Sequence, residues 1–305
     1  MNHFSALYRK YQEQLDSVFS AYVLNEDAFT AYAANELEDL PCIELEHADE
    51  HGFLYYHCYE EAGKTFCRIP LCGYFAESEQ MMVRLFQALA DRVVPPSGCD
   101  FSVQLYARDE ACIRAFHMMQ FGTMAETCVR LIGDEFPSSL PGIEIRVPDK
   151  PEIEEKWPLI WPAVRQIIDH LKKSPVFYPG TEFTEELYHD YFMSEDLELL
   201  CAFKNDTLVG IIEWNNEENL LTAGIASANI GEVYVVPELR ASGLAQCLLY
   251  TAARAWETGV TRLWVEHGTA NPNARGFWNR YFETVQYELV RSIPGRPVIP
   301  EDPVY

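Results

Sequence analysis

Positive charge, long apolar runs and closely paired cysteines are all scarce in this 305-residue sequence. Lys and Arg total 23 against 47 Asp and Glu, a net of −24. The deficit is −13 in residues 1–140 (9 basic, 22 acidic) and −11 in 141–305 (14 and 25), so it is no acidic tail. Such a field repels phosphate backbones and excludes nucleic acid as a partner class, while it favours a cationic small molecule. No apolar run reaches the roughly 20 residues that cross a bilayer, so no membrane is expected. Met1-Asn2-His3-Phe4 shows no charged segment leading into an apolar one, so no signal peptide is expected. The nine cysteines include no C-x-x-C pair. Their odd number in a well-cored chain fits a reducing, cytoplasmic setting, with Cys112 and Cys247 as buried thiols, and no metal site is expected.

What is abundant is core material: 48% apolar residues and 13% aromatics, at a length that suits two domains. Phe136-Pro-Ser-Ser-Leu-Pro-Gly142 reads as the boundary. The expected organisation is a first domain over 1–136, a linker at 137–142, a second domain over 143–293 and a Pro-rich extended tail over 294–305. In the second domain a helical stretch from Glu152 to Lys173 is expected to be interrupted by Pro158 and Pro162. A short helix from Thr184 to Ser194 follows, then strands Leu197–Phe203 and Thr207–Trp214 joined by a tight turn at 204–206. Beyond them come a strand Ile230–Val236, a helix Gly243–Thr258 capped at Gly259, a strand Arg262–Glu266, a helix Asn273–Tyr281 and a strand Thr284–Ile293. Along Gly243–Thr258, Ala245, Leu248, Leu249, Ala252 and Trp256 share a face. The order β-α-α-β-β-β-α-β-α-β is an α+β layered sheet.

The first half repeats part of this at an offset of about 162 residues. Phe101–Leu105 parallels Leu263–His267, and Asp109–Met119 parallels Asn271–Tyr281, which puts Phe116 opposite Trp278. Val129–Ile132 parallels Val290–Ile293 with a one-residue gap, and Gln80–Val93 falls opposite Gly243–Trp256. A period of this length is a duplicated domain, not a solenoid.

The most informative segment runs from Glu232 to Ala245: a strand, a break at Pro237, then Arg240-x-x-Gly243-x-Ala245 opening a helix. The first amides of a helix lack intrahelical acceptors, and the macrodipole leaves partial positive charge there. Gly243 permits close approach and Arg240 adds a fixed cation, so a pyrophosphate could bind despite the anionic background.

With this segment, and with Asn271-x-x-Ala274-x-x-Phe277-Trp278 following at a suitable distance, the sequence resembles the GNAT superfamily of N-acetyltransferases from Ile143 to Ile293. The resemblance implies an α+β fold of two GNAT-like domains, each with a mixed, mostly antiparallel central sheet flanked by helices. It implies acetyl-CoA as co-substrate, its pyrophosphate held by the backbone of Arg240, Ala241, Ser242, Gly243, Leu244 and Ala245. The backbone of Val235 and Val236 would pair with the pantetheine and polarise the thioester, with Asn271 near the pantetheine arm and Phe277 beside it.

One departure from the family pattern stands at Trp278, where a tyrosine is usual. An indole N–H donates a hydrogen bond but is no acid at neutral pH. Tyr281, three residues on, is the candidate to protonate the leaving thiolate, with solvent as the alternative. The amine acceptor also needs a base. Glu232 is the first choice, Glu213 the second, and His267 could line the acceptor site. In the first half Ser78 and Met81 stand opposite Arg240 and Gly243, so a degenerate GNAT-like domain without cofactor is expected there. Met81, Met82, Met118 and Met119 read as core. The function implied is acetyl transfer to a primary amine of a small acceptor, with a non-catalytic acyl-CoA sensor as the alternative. The acceptor's identity and the oligomeric state stay open.

Overall fold

The computed structural model describes residues 2–19, 24–131, 137–177, 183–215, 217, 221, 227–255 and 262–295. The chain divides into two compact units, Met1–Glu126 with Thr284–Tyr305, and Thr127–Glu283. In the first unit the elements are α1 (His3–Phe19), α2 (Glu26–Leu37), β1 (Cys42–His47), β2 (Glu50–Tyr55), β3 (His57–Glu61), β4 (Lys64–Ile69), β5 (Tyr74–Ala76), α3 (Glu79–Val93), β6 (Gly98–Tyr106) and α4 (Glu110–Met118). The division then falls inside β7 (Gly122–Leu131). Strands β1, β2 and β5 form an antiparallel sheet in that order. Separately, β4 pairs antiparallel with β3 and parallel with β6. On α3, Met81, Met82, Leu85, Phe86 and Leu89 are buried at helical spacing. Met118 instead is 75% exposed; it ends its helix on the solvent side, which corrects its reading as core.

The second unit contains β8 (Glu144–Arg146), α5 (Lys150–Leu171), α6 (Glu185–Met193), β9 (Leu197–Lys204), β10 (Thr207–Asn215), β11 (Ser227–Val235), a 3₁₀ turn at Pro237–Leu239, α7 (Leu244–Ala255), β12 (Arg262–Gly268) and α8 (Pro272–Tyr281). Its strands lie in the order β12-β11-β10-β9-β8, with only the β11–β12 pair parallel. The run Leu199–Phe203 is buried at every position because the sheet is covered on both faces. Leu200 and Ala202 pack with Leu244, Leu248 and Leu249 of α7. Leu199, Cys201 and Phe203 pack with Ile153, Trp157 and Ile160 of α5. Asn205 and Asp206 both adopt positive φ, 49° and 59°, as a two-residue hairpin requires.

Three expectations change. First, α5 is one helix of 22 residues through both prolines. Pro158 and Pro162 lie four apart on the exposed face, where water can satisfy the carbonyls that lose their partners. Second, the division between the units falls at 126/127 and not in a linker at 137–142. Third, β13 (Glu283–Pro294) groups with the first unit because it pairs antiparallel with β6 over nine residues, Gln286↔Tyr106 to Pro294↔Gly98. The expected cap at Gly259, Trp256, Ile132, Phe136 and the tail beyond Gly295 lie outside the described residues. Among the described residues no helix is long and apolar enough to cross a membrane.

Candidate functional site

The site begins where two strands part. β11 pairs with β12 from Ser227↔Arg262 to Ile230↔Val265, and there the pairing ends. Beyond it β11 continues against β10 alone, through Ile212↔Val233, Ile211↔Tyr234 and Gly210↔Val235. The Val236 amide donates to the Val209 carbonyl at 3.0 Å, so Val236 faces β10. By the alternation of strand backbone groups, Val233 and Val235 turn theirs to the open edge. The Val235 carbonyl accordingly accepts from Arg240 Nε at 3.2 Å. The carbonyl of Val236 also accepts the Leu239 amide, at 3.0 Å. The sequence reading of Val235 and Val236 is therefore corrected to Val233 and Val235: a backbone already bonded on both its groups has no amide for a ligand. Val233 and Val235 line the adjoining cavity and Val236 does not.

After the 3₁₀ turn the chain bends sharply, with Ala241 at φ 61° and Gly243 at φ 95°. This bend decides which amides are free. Those of Arg240 and Ser242 bond to Pro237 and Leu239, and that of Leu244 reaches the Ser242 hydroxyl at 3.4 Å. The amides of Ala241, Gly243, Ala245 and Gln246 have no acceptor among the described residues. Four open donors at the start of α7, beside the Arg240 guanidinium, form an anion cradle. A side chain on Gly243 would meet Pro137 and Leu140 at 3.9 and 4.0 Å, an ordinary contact distance.

A cavity of ≈ 540 Å³ opens onto this loop, bounded by β11, α5 and α8. Asn271 lines it as the cap of α8: its Oδ1 accepts the amides of Asn273 and Ala274, each at 3.2 Å. Nε2 of His170 in α5 lies 3.0 Å from the same oxygen. Phe277 and Tyr281 also line the cavity, and the Tyr281 hydroxyl accepts from Gln246 Nε2 at 2.9 Å. Trp278 is 5% exposed and packs edge-on against Phe282, with its bulk in the core. Gln166, His170 and Gln246 carried no sequence signal; they reach the cavity through tertiary packing, and Gln166 is held by the Tyr234 hydroxyl at 2.8 Å.

The carboxylates form a separate cluster. Glu213 is fully buried, and it accepts the Glu232 amide at 2.7 Å and the Tyr191 hydroxyl at 2.8 Å. A side chain on Gly231 would come within 2.4 Å of it, which is why that residue is glycine. Burial pushes the Glu213 carboxyl up to about 7, against the pull of its two hydrogen bonds. The half-buried Glu232 accepts from Tyr188 at 3.1 Å, and burial raises its carboxyl too. In return, burial and then the facing carboxylate raise both tyrosine hydroxyls. Neither Glu213 nor Glu232 lines the cavity, although Tyr234, on the Glu232 face of β11, does. His267 is buried on β12, its Nε2 3.6 Å from Cys128 Sγ. It is absent from the cavity lining, because strand alternation turns it into the core, which corrects its reading as an acceptor-site residue.

The first unit treats the equivalent positions differently. Ser78 caps α3 with its own hydroxyl, which accepts the Met81 amide at 3.1 Å. Asp109, the cap of α4, holds a buried ion pair with Lys10 at 2.5 Å and accepts from Tyr74 at 3.1 Å.

Residues 164–283 match the model of the acetyltransferase (GNAT) family. Among solved structures, a GCN5-related N-acetyltransferase from Sphaerobacter thermophilus aligns over 95% of this chain and 92% of its own, at 17% identity and a TM-score of 0.54. A GCN5-related N-acetyltransferase from Kribbella flavida aligns over 88% and 96%, at 14% identity and 0.40. A tandem GNAT protein from the clavulanic acid biosynthesis pathway aligns over 97% and 97%, at 11% identity and 0.44. No curated protein matches the sequence.

Proposed function

From the premise that residues 164–283 form a domain of the GNAT acetyltransferase family, an acyltransferase family that uses acyl-CoA, we propose that this chain moves an acetyl group from acetyl-CoA to a primary amine of a small acceptor. One observation carries this reading: four open amides and a tethered guanidinium at Arg240–Gln246 face a cavity beside a strand edge that has lost its neighbour. The cradle takes the pyrophosphate, and the free edge at Val233 and Val235 takes the pantetheine amides. Asn271 and Phe277 flank that arm. The acceptor nitrogen attacks the thioester carbonyl carbon as the C–S bond breaks. The ammonium proton goes to Glu232 through water, and the thiolate takes its proton from Tyr281, whose side chain lines the cavity. The first unit acts as a GNAT-like domain without cofactor, since its own Ser78 side chain and the Lys10–Asp109 pair use the groups a ligand would need.

The test is calorimetric titration of the full chain with CoA, followed by thiol release from acetyl-CoA across a panel of amines. Binding with amine-dependent release is the expected result. Failure to bind CoA would overturn the reading. A second reading, an acyl-CoA sensor without turnover, is favoured by Trp278 in place of the usual tyrosine, and it predicts binding with no release on any amine.

A further inference from the structure

We propose that His3, Glu44 and His51 of the first unit form a site for one divalent transition-metal ion, with zinc the best fit. In the β1–β2 register Glu44 lies opposite Phe53 and Glu46 opposite His51, so Glu44, His51 and Phe53 share one face of the sheet. His3, the first residue of α1, stacks on the Phe53 ring at 3.9 Å and 12°, which fixes its imidazole above that face. Oε1 of Glu44 then lies 3.2 Å from Nε2 of His3 and 2.8 Å from Nε2 of His51. All three ligand atoms fall within 4.8 Å of one another. Tetrahedral zinc with N and O bonds near 2.0–2.2 Å holds its ligands about 3.4 Å apart, so the two edges that meet at Glu44, 3.2 and 2.8 Å long, need only a small expansion.

The surroundings fit a metal better than a chance ion pair. The outer nitrogen of His3, Nδ1, lies 2.8 Å from the Tyr55 hydroxyl, the partner that orients a metal-bound imidazole and fixes its tautomer. Among the described residues Nδ1 of His51 is buried without a hydrogen-bond partner, so this ring lacks the outer partner that His3 has and is placed by packing against Phe53 and Phe75. The Glu44 side chain is 50% exposed, which leaves the ion a path from solvent. Two imidazoles with one carboxylate select a borderline transition ion over calcium or magnesium, which prefer oxygen. Three protein ligands leave a fourth position for water. The spacing 3, 44, 51 matches no metal motif, which is why the sequence gives no sign of it.

The experiment strips the full-length protein with a chelator and titrates it with zinc chloride by calorimetry, with a phosphine reductant keeping the nine thiols reduced. One zinc per chain is expected. His3→Ala and His51→Asn should each abolish that site, and Glu44→Gln and Tyr55→Phe should weaken it by about tenfold or more. Unchanged far-ultraviolet circular dichroism and melting of the zinc-free variants separate ligand loss from unfolding. No zinc uptake by the wild-type chain, or uptake that survives both histidine substitutions, overturns the proposal.

Discussion

Nε2 of His170 and Oδ1 of Asn271 stand 3.0 Å apart, joining the end of α5 to the cap of α8 in the wall of the cavity. At the 162-residue repeat offset Asn271 corresponds to Asp109, and there the partner is not a histidine but Lys10 of α1. One copy carries a histidine–asparagine join beside a cavity. The other carries a buried ion pair. That difference gives the proposed division of labour between the units a chemical basis.

Breaking the ion pair should therefore be costly. Burial alone would push the Asp109 carboxyl up, but the Lys10 ammonium and the hydrogen bonds at the helix cap outweigh it and hold it below its ordinary range. Lys10→Met leaves that charge buried and unpaired, so a loss of about 3–5 kcal/mol is expected by urea unfolding. A change under about 1 kcal/mol would remove the pair from the stabilising interactions.

Gly243→Val should weaken CoA binding by about tenfold or more in calorimetry. A β-branched residue at φ 95° is strained even though a Cβ there meets nothing closer than 3.9 Å, and its strain moves the amides of residue 243 and Ala245. Unchanged affinity would show that the cradle does not hold the nucleotide.

Glu232→Gln tests the base. Its carboxylate is the competent form, and burial raises its pKa, so its contribution grows as pH rises through that value. At high pH the acceptor amine sheds its own proton and the base matters less. The variant should lose about a hundredfold in turnover at neutral pH and less in alkali. An equal loss at every pH excludes the role.

Tyr281→Phe addresses the leaving group. The hydroxyl also accepts from Gln246, so a purely structural role would disturb α7 and CoA affinity together. As proton donor, its removal should lower kcat by about tenfold or more while the dissociation constant of CoA stays within about threefold. A kcat equal to wild type assigns the proton to solvent.

Glu213 should be visible in stability. Its carboxyl rises from 4.5 to about 7 on folding, so between those values the folded chain holds a proton that the unfolded chain has released. Stability from this group therefore falls as pH rises from about 4.5 to 7, by on the order of 3 kcal/mol, and levels off above. Glu213→Gln should flatten that slope in urea melts at pH 5 and 8. A slope that persists places its origin elsewhere.

Much of the second unit was legible because its signals are local. Pro237, Gly243 and the apolar spacing of Leu248, Leu249 and Ala252 mark a break, a bend and a helix face from adjacent residues. What failed depended on partners far along the chain. The choice between Val233 and Val236 turns on which strand edge faces β10, and that is fixed by the Val236–Val209 bond. Whether β13 belongs with its own half turns on nine pairings to a strand some 180 residues earlier. Neither Gln166 nor His170 announces a site within α5, whose pattern reports only its buried stripe of Ile153, Trp157, Ile160 and Val164.

The bond from Arg240 Nε to the Val235 carbonyl has one more effect. An exposed arginine ordinarily surrenders about 0.5–1.5 kcal/mol of side-chain freedom when it closes on an anion. Here the stem is moored beforehand at its inner nitrogen, so the two outer ones are the donors that remain for the anion. Lysine has no inner donor to moor, so the same charge at position 240 would arrive unrestrained and release its guest sooner.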